Sequence, residues 1–465
     1  MFSLFTINYY LFQLPSVNYL LPTMNIKDAV NCMCDLAKGE AEQFDIIASN
    51  SHSEGLSVFQ GQVQNTEISD SVGLGIRVIK DGRSGYAHTE RLTKEALLQT
   101  LKDAVCHTQW TERIDIELPS ATKIPTDDPN YNPSLETLDL SQMKDFCIEL
   151  EKATFAKSKE IENIPYLGAD LEKDYSVVAN HTGLFYEARS NSASAGAGAV
   201  ACRNGIKKLG NFVKNGRDWN EFSIEEIASR TAEYATELFG ASKIESGKIP
   251  VILSERISAR FLGMYCQPFV AEAMQKGMSR LAGKEGEKIA SDVFSIWNDP
   301  QGEMFEHKYY FDSEGSLTQR VKVVNNGVFE SALYNLETAS KAGVKTTGNG
   351  ERSFGGKMAT SFYNYLVPAG KLTTAELLKL FPKSLFVVRL EGNSGCNAVS
   401  GELSIGAHGF WCENGCIQHP VDGVTLSGNF FDIIKNIVAV GNEYRDPFAS
   451  YKVPALAVSE LSVSN

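Results

Sequence analysis

The sequence predicts an α+β fold, with two helix–strands–helix units in the N-terminal part followed by a large, mainly antiparallel β domain with a few helices. Three observations support this prediction. In the first half of the chain, helical spacing of apolar residues alternates twice with strand-like segments. In the C-terminal half, strand-like segments are separated by Asn-Gly turn signals. The chain has 465 residues, of which 43% are hydrophobic, so it can fill about two to four domains.

The first unit is predicted at residues 24–110. Residues 25–38 have the apolar spacing of an amphipathic helix, which Asn25 can cap. Short alternating segments between residues 44 and 90 indicate strands, and Lys80-Asp81-Gly82 is a good hairpin turn. Helical spacing returns at residues 94–107, which completes the unit.

The second unit is predicted at residues 120–240, after a polar connection. A helix is expected at about 139–156, strand-like text at 165–215, and a second helix at 223–239. Ser223 and Glu226 have the spacing of a capping box at the start of that last helix. The repeated order of helix, strands and helix suggests a loose internal duplication.

The β-rich domain is predicted at residues 245–465. It should begin with a buried strand, PVILS, and a helix at 255–268. The dipeptides Asn326-Gly327 and Asn414-Gly415 indicate two-residue hairpins. Two further helices are expected, at 374–381 with a capping box of Thr373 and Glu376, and at 430–440 closed by Gly441.

Residues 1–23 are apolar and aromatic but contain no Lys or Arg, and Pro15 and Pro22 interrupt them. A signal peptide needs a positive start and a compact apolar core, and a membrane span needs a longer unbroken apolar run. We therefore interpret this segment as an upstream extension or a disordered stretch, with Met24 as the start of the ordered protein. A divergent export signal is the alternative.

Composition excludes some classes of function. The chain holds 44 Lys and Arg against 57 Asp and Glu, a formal net charge of −13, which argues against direct nucleic-acid binding. The sequence also contains no dense run of Lys and Arg that could bind a membrane surface. Its nine cysteines are odd in number and scattered, which fits free, mostly buried thiols in a reducing compartment. We therefore expect a cytoplasmic protein.

Common catalytic motifs are absent from the sequence. No two of the seven histidines lie within five residues of each other, so no single helix can carry a zinc-peptidase pair. Cys412 and Cys416 flank the Asn414-Gly415 turn, in a register that should turn their side chains to opposite faces. The sequence contains neither a G-x-S-x-G elbow nor a phosphate-binding loop. A Ser or Cys nucleophile assembled from distant residues stays open as an alternative.

Several ordered blocks resemble the TldD/PmbA family, and the resemblance covers essentially all of residues 24–465. They are GLGIRVIKDGRSGYAHTERLTKEALLQTLKDAV near the N-terminus, ANHTGLFYEARS in the centre, and TTGNGERSF and EGNSGCNAVSGELSIGAHGFWCENGC in the C-terminal part. The resemblance implies a two-subunit peptidase in which TldD carries the zinc and PmbA, also called TldE, is its partner. Bacterial members of the family were first described as modulators of DNA gyrase.

The catalytic branch of that family has an H-E-x-x-x-H helix followed by a K-G-x-S-x-x-x-G segment, and Lys276–Gly283 matches the latter. Counting back without gaps places Leu262, Gly263 and Gln267 at the positions of the metal-binding His, Glu and His. Leu and Gly have no donor atom, and the amide of Gln is a weak neutral ligand. Val440-Gly441-Asn442-Glu443 is also followed by no Cys, where the catalytic branch has a ligand. The resemblance therefore implies a PmbA-type chain without a cofactor, with zinc expected only in a TldD-like partner.

The resemblance further implies that an unfolded peptide is the substrate. Gly-rich turns and strand edges can pair their backbone with an extended peptide, and the predicted peptide-binding candidates are Asn349, Arg352, Asn364, Gly395 and Asn397. The alternative is that these polar residues cap turns and satisfy loop backbone.

Three hypotheses follow. The chain is the non-zinc partner of a TldD-like metallopeptidase, forming a homodimer when alone; or a stand-alone peptide-binding or gyrase-modulating protein; or an enzyme with a dispersed Ser or Cys nucleophile.

Overall fold

The computed structural model describes residues 24–125 and 127–465, so the predictions made for residues 1–23 lie outside the described residues. The helices are α1 (Ile26–Ala37), α2 (Lys94–His107), α3 (Leu140–Lys157), α4 (Ile224–Thr236), α5 (Ser258–Gly263), α6 (Ala271–Gln275), α7 (Leu336–Ala342), α8 (Thr374–Leu377) and α9 (Phe430–Ile433). Every helix in the described part of the chain is too short or too polar to cross a bilayer.

The strands of the N-terminal part are β1 (Gln43–Phe59), β2 (Gln62–Lys80), β3 (Arg83–Thr89), β4 (Ile161–Asn180), β5 (Phe185–Arg203) and β6 (Ile206–Gly216). Those of the C-terminal part are β7 (Gly247–Leu253), β8 (Ile296–Asn298), β9 (Val321–Asn325), β10 (Val328–Phe329), β11 (Gly350–Glu351), β12 (Ala359–Thr360), β13 (Tyr365–Leu366), β14 (Lys383–Glu391), β15 (Glu402–Glu413), β16 (Cys416–Asn429), β17 (Ile437–Val440), β18 (Tyr451–Lys452) and β19 (Leu456–Ser464). The predicted α+β class is confirmed.

The six N-terminal strands form one antiparallel sheet in the order β3-β2-β1-β4-β5-β6. Pairing between β1 and β4, with Ala48 opposite Val177, joins the two predicted helix–strands–helix units into this sheet. The prediction of short strand segments was wrong, because β1 has 17 residues and β4 has 20.

The strands are long because each of them crosses two apolar cores. On β1, Phe44 and Ile46 pack in a core under α1 and α2, whereas Leu56 and Val58 pack in a second core with α3 and α4. All four have even residue numbers and so point to the same face of the sheet. One face of the sheet therefore carries two helix pairs, one beyond the other along the strands.

Capping residues set the starts of these helices. The side chain of Asn25 accepts a hydrogen bond from the Asp28 amide at 2.8 Å, as predicted. Ser223 likewise accepts from the Glu226 amide at 3.2 Å. The reciprocal half of the predicted capping box does not form among the described residues, since the Glu226 carboxylate lies 3.7 Å from Lys214 instead.

The C-terminal part contains a six-stranded sheet in the order β16-β15-β14-β7-β19-β17 and a five-stranded sheet in the order β10-β9-β8-β13-β18. An additional pairing of β16 with β19 closes five strands of the first sheet into a ring. Asn326 and Asn414 have φ angles of 46° and 50°, which confirms the two predicted Asn-Gly hairpins.

Two predicted helices in this domain were wrong in length. The helix expected at 255–268 is only α5, followed by a 3-10 turn at Gln267–Phe269. Pro268 has no amide hydrogen to donate to the carbonyl oxygen of Met264, so an α-helix cannot be completed through this position. The helix expected at 430–440 stops after Ile433, and Ile437–Val440 pairs with β19 as strand β17. Pairing with a neighbouring strand overrides the local helical spacing there.

The nine cysteines are free thiols, as expected, but the expectation that most are buried was wrong. Only Cys147 and Cys412 are fully buried, whereas Cys32, Cys34, Cys202, Cys266 and Cys396 are partly buried. Cys416 is exposed, and Glu413 lies opposite it across the hairpin, in the register predicted from the turn. The two thiols of the Asn414-Gly415 hairpin therefore do not converge on one ligand.

The second face of the N-terminal sheet packs against the C-terminal domain. Ile47, Val178 and Tyr186 of this face form an apolar cluster with Phe311 and Phe354. A Cβ atom at Gly75 would lie 2.0 Å from the carbonyl oxygen of Phe354, so β2 needs glycine where the C-terminal domain approaches it. A cavity between the N-terminal sheet and the C-terminal domain forms part of the candidate site.

Candidate functional site

The three positions that correspond to the metal motif do not share a helix. Leu262 is 1% exposed and belongs to the main core of the C-terminal domain. Gly263 ends α5, and a Cβ atom there would lie 3.7 Å from the ring of Tyr451. Gln267 is exposed and opens the following 3-10 turn. Leu262 is packed in the core, Gly263 has no side chain, and Gln267 faces solvent. The three positions therefore do not converge on one point.

The residues at these positions do not fit a zinc ion. Structural and catalytic zinc sites use three or four Cys, His, Asp or Glu ligands within about 2.0–2.3 Å of the ion. Within residues 24–125 and 127–465, no three such side chains lie close enough together to hold a metal ion. Leu262 and Gly263 have no donor atom, and the Gln267 amide is a weak neutral ligand, so these three residues cannot build such a site.

A small cavity of about 240 Å³ lies beside these positions and is called here the motif cavity. It is lined by Cys266, Gln267, Met278, Thr360, Phe362 and Tyr451, among others. The Cys266 thiol lies 3.7 Å from the Tyr451 hydroxyl. Burial raises the pKa of Cys266 to about 12, so this thiol stays protonated at neutral pH and is a poor nucleophile.

A second cavity of about 730 Å³, called here the large cavity, lies where the N-terminal sheet meets the C-terminal domain. Its walls are β1, β4 and β5, linker residues 124, 125 and 127–130, and the C-terminal segment 307–313. Glu351, Arg352 and Tyr363 complete it. Strand β12 and the residues after it separate the two cavities, because Thr360–Phe362 line the small one and Tyr363 lines the large one.

A stack of rings lies on the C-terminal side of the large cavity. The ring centroids of His307 and Tyr309 are 4.4 Å apart, and those of Tyr309 and Tyr363 are 4.7 Å apart. Burial and the neighbouring Arg217 guanidinium lower the pKa of His307 to about 4, so His307 is neutral at pH 7. Burial, followed by the Glu351 carboxylate, raises the pKa of Tyr309.

A buried ion cluster lies behind the large cavity. The Arg77 side chain is fully buried and donates to Asp45 Oδ2 at 2.8 Å and to Glu314 Oε1 at 2.9 Å. Arg352 donates through Nη2 to the Asp45 carboxylate. Burial raises the pKa of Glu314, and the positive charge of Arg77 opposes that rise. The cluster joins β1 and β2 to the C-terminal domain through charge-assisted hydrogen bonds.

The structure places Asn349, Arg352 and Asn364 in loops near the contact between the N-terminal sheet and the C-terminal domain. Asn349 is fully buried, and its Nδ2 donates to the Ser361 carbonyl at 2.7 Å. Asn364 has a left-handed φ of 61°, and its Nδ2 donates to the carbonyl oxygen of His307 at 2.6 Å. Of the five candidates, only Arg352 lines the large cavity. The two asparagines tie loop backbone in place beside it.

Gly395 and Asn397 belong to a separate loop between β14 and β15. The side chain of Asn397 accepts hydrogen bonds from the amides of Val399 and Ser400, at 2.9 and 3.1 Å. Gly395 accepts a backbone hydrogen bond from Ser404 at 2.9 Å. Neither residue lines either of the two cavities.

The sequence analysis did not identify Arg77, Asp45 and Glu314 as site residues, because they lie inside segments that resemble ordinary strands or turns. The available signal was Arg77 itself, a lone charge between Ile76 and Val78 in an apolar run. A charged residue in such a run is either at an exposed edge or paired in the interior. Its partners, however, are distant in the chain, and only the folded structure identifies them.

Known protein families match the chain along most of its length. Models of the PmbA/TldA metallopeptidase domains match in sequence order: domain 1 at residues 44–105, the central domain at 133–239 and the C-terminal domain at 246–465. The architecture is therefore that of a metallopeptidase-type chain with three consecutive domains. Metalloprotease PmbA of Escherichia coli O157:H7 is 26% identical over 426 residues, covering 90% of this chain and 91% of that protein. The chain belongs to the PmbA/TldD family.

Solved structures agree with this assignment. A proposed modulator of a DNA gyrase from Thermotoga maritima matches with a TM-score of 0.85 and 28% identity, over 94% of this chain and 100% of that chain. TldE from Thermococcus kodakarensis matches with a TM-score of 0.82 and 19% identity, over 94% of this chain and 100% of that chain. At that identity the second match shows the fold alone.

Proposed function

We propose that this chain is the PmbA-type, non-zinc subunit of a TldD/PmbA metallopeptidase complex that processes unfolded peptides in the cytoplasm. The observation that carries the proposal is the set of residues at the metal-motif positions. Leu262 fills the core, Gly263 ends a six-residue helix, and Gln267 faces solvent on the next turn. A subunit with these residues needs a TldD-like partner to supply the zinc.

Two further points support the proposal. The relative from Escherichia coli, which covers 90% of this chain, is called metalloprotease PmbA. The Cys266 thiol, which lies beside the motif positions, is held in its protonated form by burial. That protonation weighs against an independent cysteine nucleophile at this place.

The test is co-expression of the chain with a TldD-like protein, followed by size-exclusion chromatography, metal analysis and a peptidase assay. We expect the isolated chain to contain no stoichiometric zinc and to cleave nothing. The mixture should elute as a complex that cleaves an unfolded peptide and stops when a chelator is added. Stoichiometric zinc in the isolated chain, or cleavage without the partner, would contradict the proposal.

A matched pair of variants sharpens the test. Gln267→Ala in this chain should leave the activity of the complex unchanged, because Gln267 ligates nothing. Replacing a metal-ligating His of the partner by Ala should abolish the activity. If Gln267→Ala also removed zinc from the complex, the motif position would hold metal after all.

The second candidate is a stand-alone peptide-binding or gyrase-modulating protein. It is favoured by the large cavity, which lies between the N-terminal sheet and the C-terminal domain. Peptide binding by this chain alone, with no change when a TldD-like protein is added, would support it.

A further inference from the structure

One edge of the N-terminal sheet is open along much of its length. Strand β2 pairs with β1 along nearly all of its residues, whereas β3 pairs with β2 only from Leu74 onward. Among the described residues, no strand pairs with the outer side of residues 62–73, which are called here the free edge. Residues 62–71 are all exposed. The outward backbone groups of such an edge can pair with another extended chain.

The two edges of this sheet differ in their side chains. Strand β6, at the opposite edge, carries Lys207, Lys208 and Lys214, and lysine is a common device against unwanted strand pairing. The free edge has the sequence QVQNTEISDSVG and contains no Lys, Arg or Pro. It exposes Ile68 by 60% and Val63 by 41%. The side chains that protect β6 from pairing are therefore lacking on the free edge.

The chain itself holds the free edge in an extended shape. The amides of Gln60 and Gly61, in the turn before β2, donate to the buried Glu151 carboxylate at 2.7 and 2.6 Å. The pairing with β1 shifts register between Ser57 and Val58, near this turn, so residues 65–73 form a regular strand. A strand that is already ordered loses little conformational freedom when it pairs, which favours association.

The two carboxylates of the free edge have partners within the chain. Asp70 Oδ1 lies 2.7 Å from Nδ1 of His52 on β1, and Glu67 Oε1 accepts from Asn65 Nδ2 at 2.7 Å. Charge is the main obstacle to pairing between identical strands, because like charges directly opposite each other are destabilising. These contacts reduce that obstacle.

We infer that two copies of this chain associate through their free edges. The two β2 strands pair antiparallel about a two-fold axis that passes through Thr66, perpendicular to the sheet, and the two N-terminal sheets become one continuous sheet. Thr66 then lies opposite its equivalent, a favourable cross-strand pair, and Asn65 lies opposite Glu67 of the second copy. The inference concerns the chain alone and goes beyond the proposed subunit role.

The length of the free edge selects this register. With the axis at Thr66, the Gln60-Gly61 turn of each copy lies beside the far end of the other free edge, just before β3 begins at Leu74. The two free edges then cover each other almost completely. An axis through Glu67 would place two carboxylates opposite each other, and an axis through Ile68 would bring the turn of one copy onto β3 of the other.

The test is sedimentation velocity of the full chain over a wide range of concentration, where we expect a monomer–dimer equilibrium. Thr66→Lys and Thr66→Glu should each raise the dimer dissociation constant by about tenfold, because each sets like charges opposite each other across the axis. An equimolar mixture of the two variants should restore association, since opposite charges then meet. This rescue requires residue 66 to face its own equivalent.

A matched control uses the other edge of the same sheet. Asn211 is exposed on β6, so Asn211→Lys and Asn211→Glu make the same changes at an edge that does not pair, and the dimer should persist in both. Thr66 is exposed as well, so the melting temperature of the monomer should not change in any of these variants. Hydrogen exchange gives a second measurement: amides of residues 62–72 should become better protected as the protein concentration rises.

A chain that stays monomeric at every concentration would overturn the inference. A dimer that survives both Thr66 variants, or a mixture that dissociates as readily as each variant alone, would do the same. If Thr66→Lys abolished only the binding of a TldD-like protein, the free edge would belong to that partner and the inference would be wrong. Zinc content and peptidase activity are measured separately, so failure here is distinct from failure of the proposed function.

Discussion

One face of the N-terminal sheet is covered by helices from the same two units, whereas the other is covered by residues far away in the chain. Under the helices, contacts are apolar and come from the N-terminal part alone, as in the core that contains Met33, Ile76 and Leu97. On the opposite face, Arg77 reaches Glu314, 237 positions away, and both side chains are fully buried. The first face is held by burial of apolar area, and the second depends also on buried charge.

The difference explains where the large cavity is found. Apolar side chains on the helix-covered face interdigitate and leave little space. The second face carries polar groups whose hydrogen-bond directions are fixed, so the C-terminal domain contacts it at separate points. Space remains between the buried ion cluster and the apolar contacts of Phe311 and Phe354. We therefore expect the two faces to respond differently to mutation.

The largest effect is expected from Arg77→Met. The substitution keeps most of the side-chain volume but leaves Asp45 and Glu314 as buried carboxylates without a cationic partner at that position. Removing one partner of a buried ion pair costs about 3–5 kcal/mol. Urea unfolding should show this loss. The triple variant Asp45→Asn, Arg77→Met, Glu314→Gln should recover part of it, and a loss below about 1 kcal/mol in the single variant would show that the cluster is dispensable.

Met33→Ala tests the helix-covered face. Met33 is fully buried between α1 and the sheet, so its truncation should destabilise the protein by about 2–5 kcal/mol through lost transfer energy and the remaining cavity. Met33→Leu, which nearly conserves volume, is the control and should cost less than about 1.5 kcal/mol. Peptide binding in the large cavity should be the same in both variants. Altered binding would show that the two faces are coupled.

His307 should make the second face sensitive to acid. Its pKa is lowered to about 4 in the folded protein, whereas an unfolded His titrates near 6.5. The unfolded state therefore binds the proton more tightly, and stability falls as the pH drops from 6.5 towards 4. Between pH 6.5 and 5 this one group contributes a loss of about 2 kcal/mol. His307→Gln should flatten the pH dependence of urea unfolding in that window; an unchanged slope would contradict the role of His307.

The local elements could be predicted from the sequence, and the long-range ones could not. The bounds of α1 follow from the Asn25 cap, and those of α2 follow from the spacing of apolar residues within one helix. The pairing of β1 with β4 depends on two strands more than a hundred residues apart, and no local signal specifies it. For the same reason Ile437–Val440 has helical spacing and yet forms a strand against β19.

In the candidate site, too, local features could be predicted from the sequence and long-range contacts could not. Chemical identity at Leu262, Gly263 and Gln267 is visible in the sequence, so the mismatch with a zinc site could be predicted. The shape around them could not, because the helical spacing continues to residue 268 whereas α5 ends at Gly263. Arg352 was predicted as a polar residue in turn-rich text, but its connection with Asp45 and the large cavity requires the folded contact between the two domains.

The smallest effect is expected at the start of α1, on the helix-covered face. Asn25→Ala removes the side-chain oxygen that accepts from the Asp28 amide at 2.8 Å, and a lost N-cap costs about 1 kcal/mol. Asn31→Ala, at an exposed position within the same helix, is the matched control and should be neutral or slightly stabilising, because alanine favours helix. Hydrogen exchange should locate the loss in α1 and leave the amides around Glu314 unaffected. A loss of protection around Glu314 would mean that the two faces of the sheet unfold as one cooperative unit, which would contradict the difference between them.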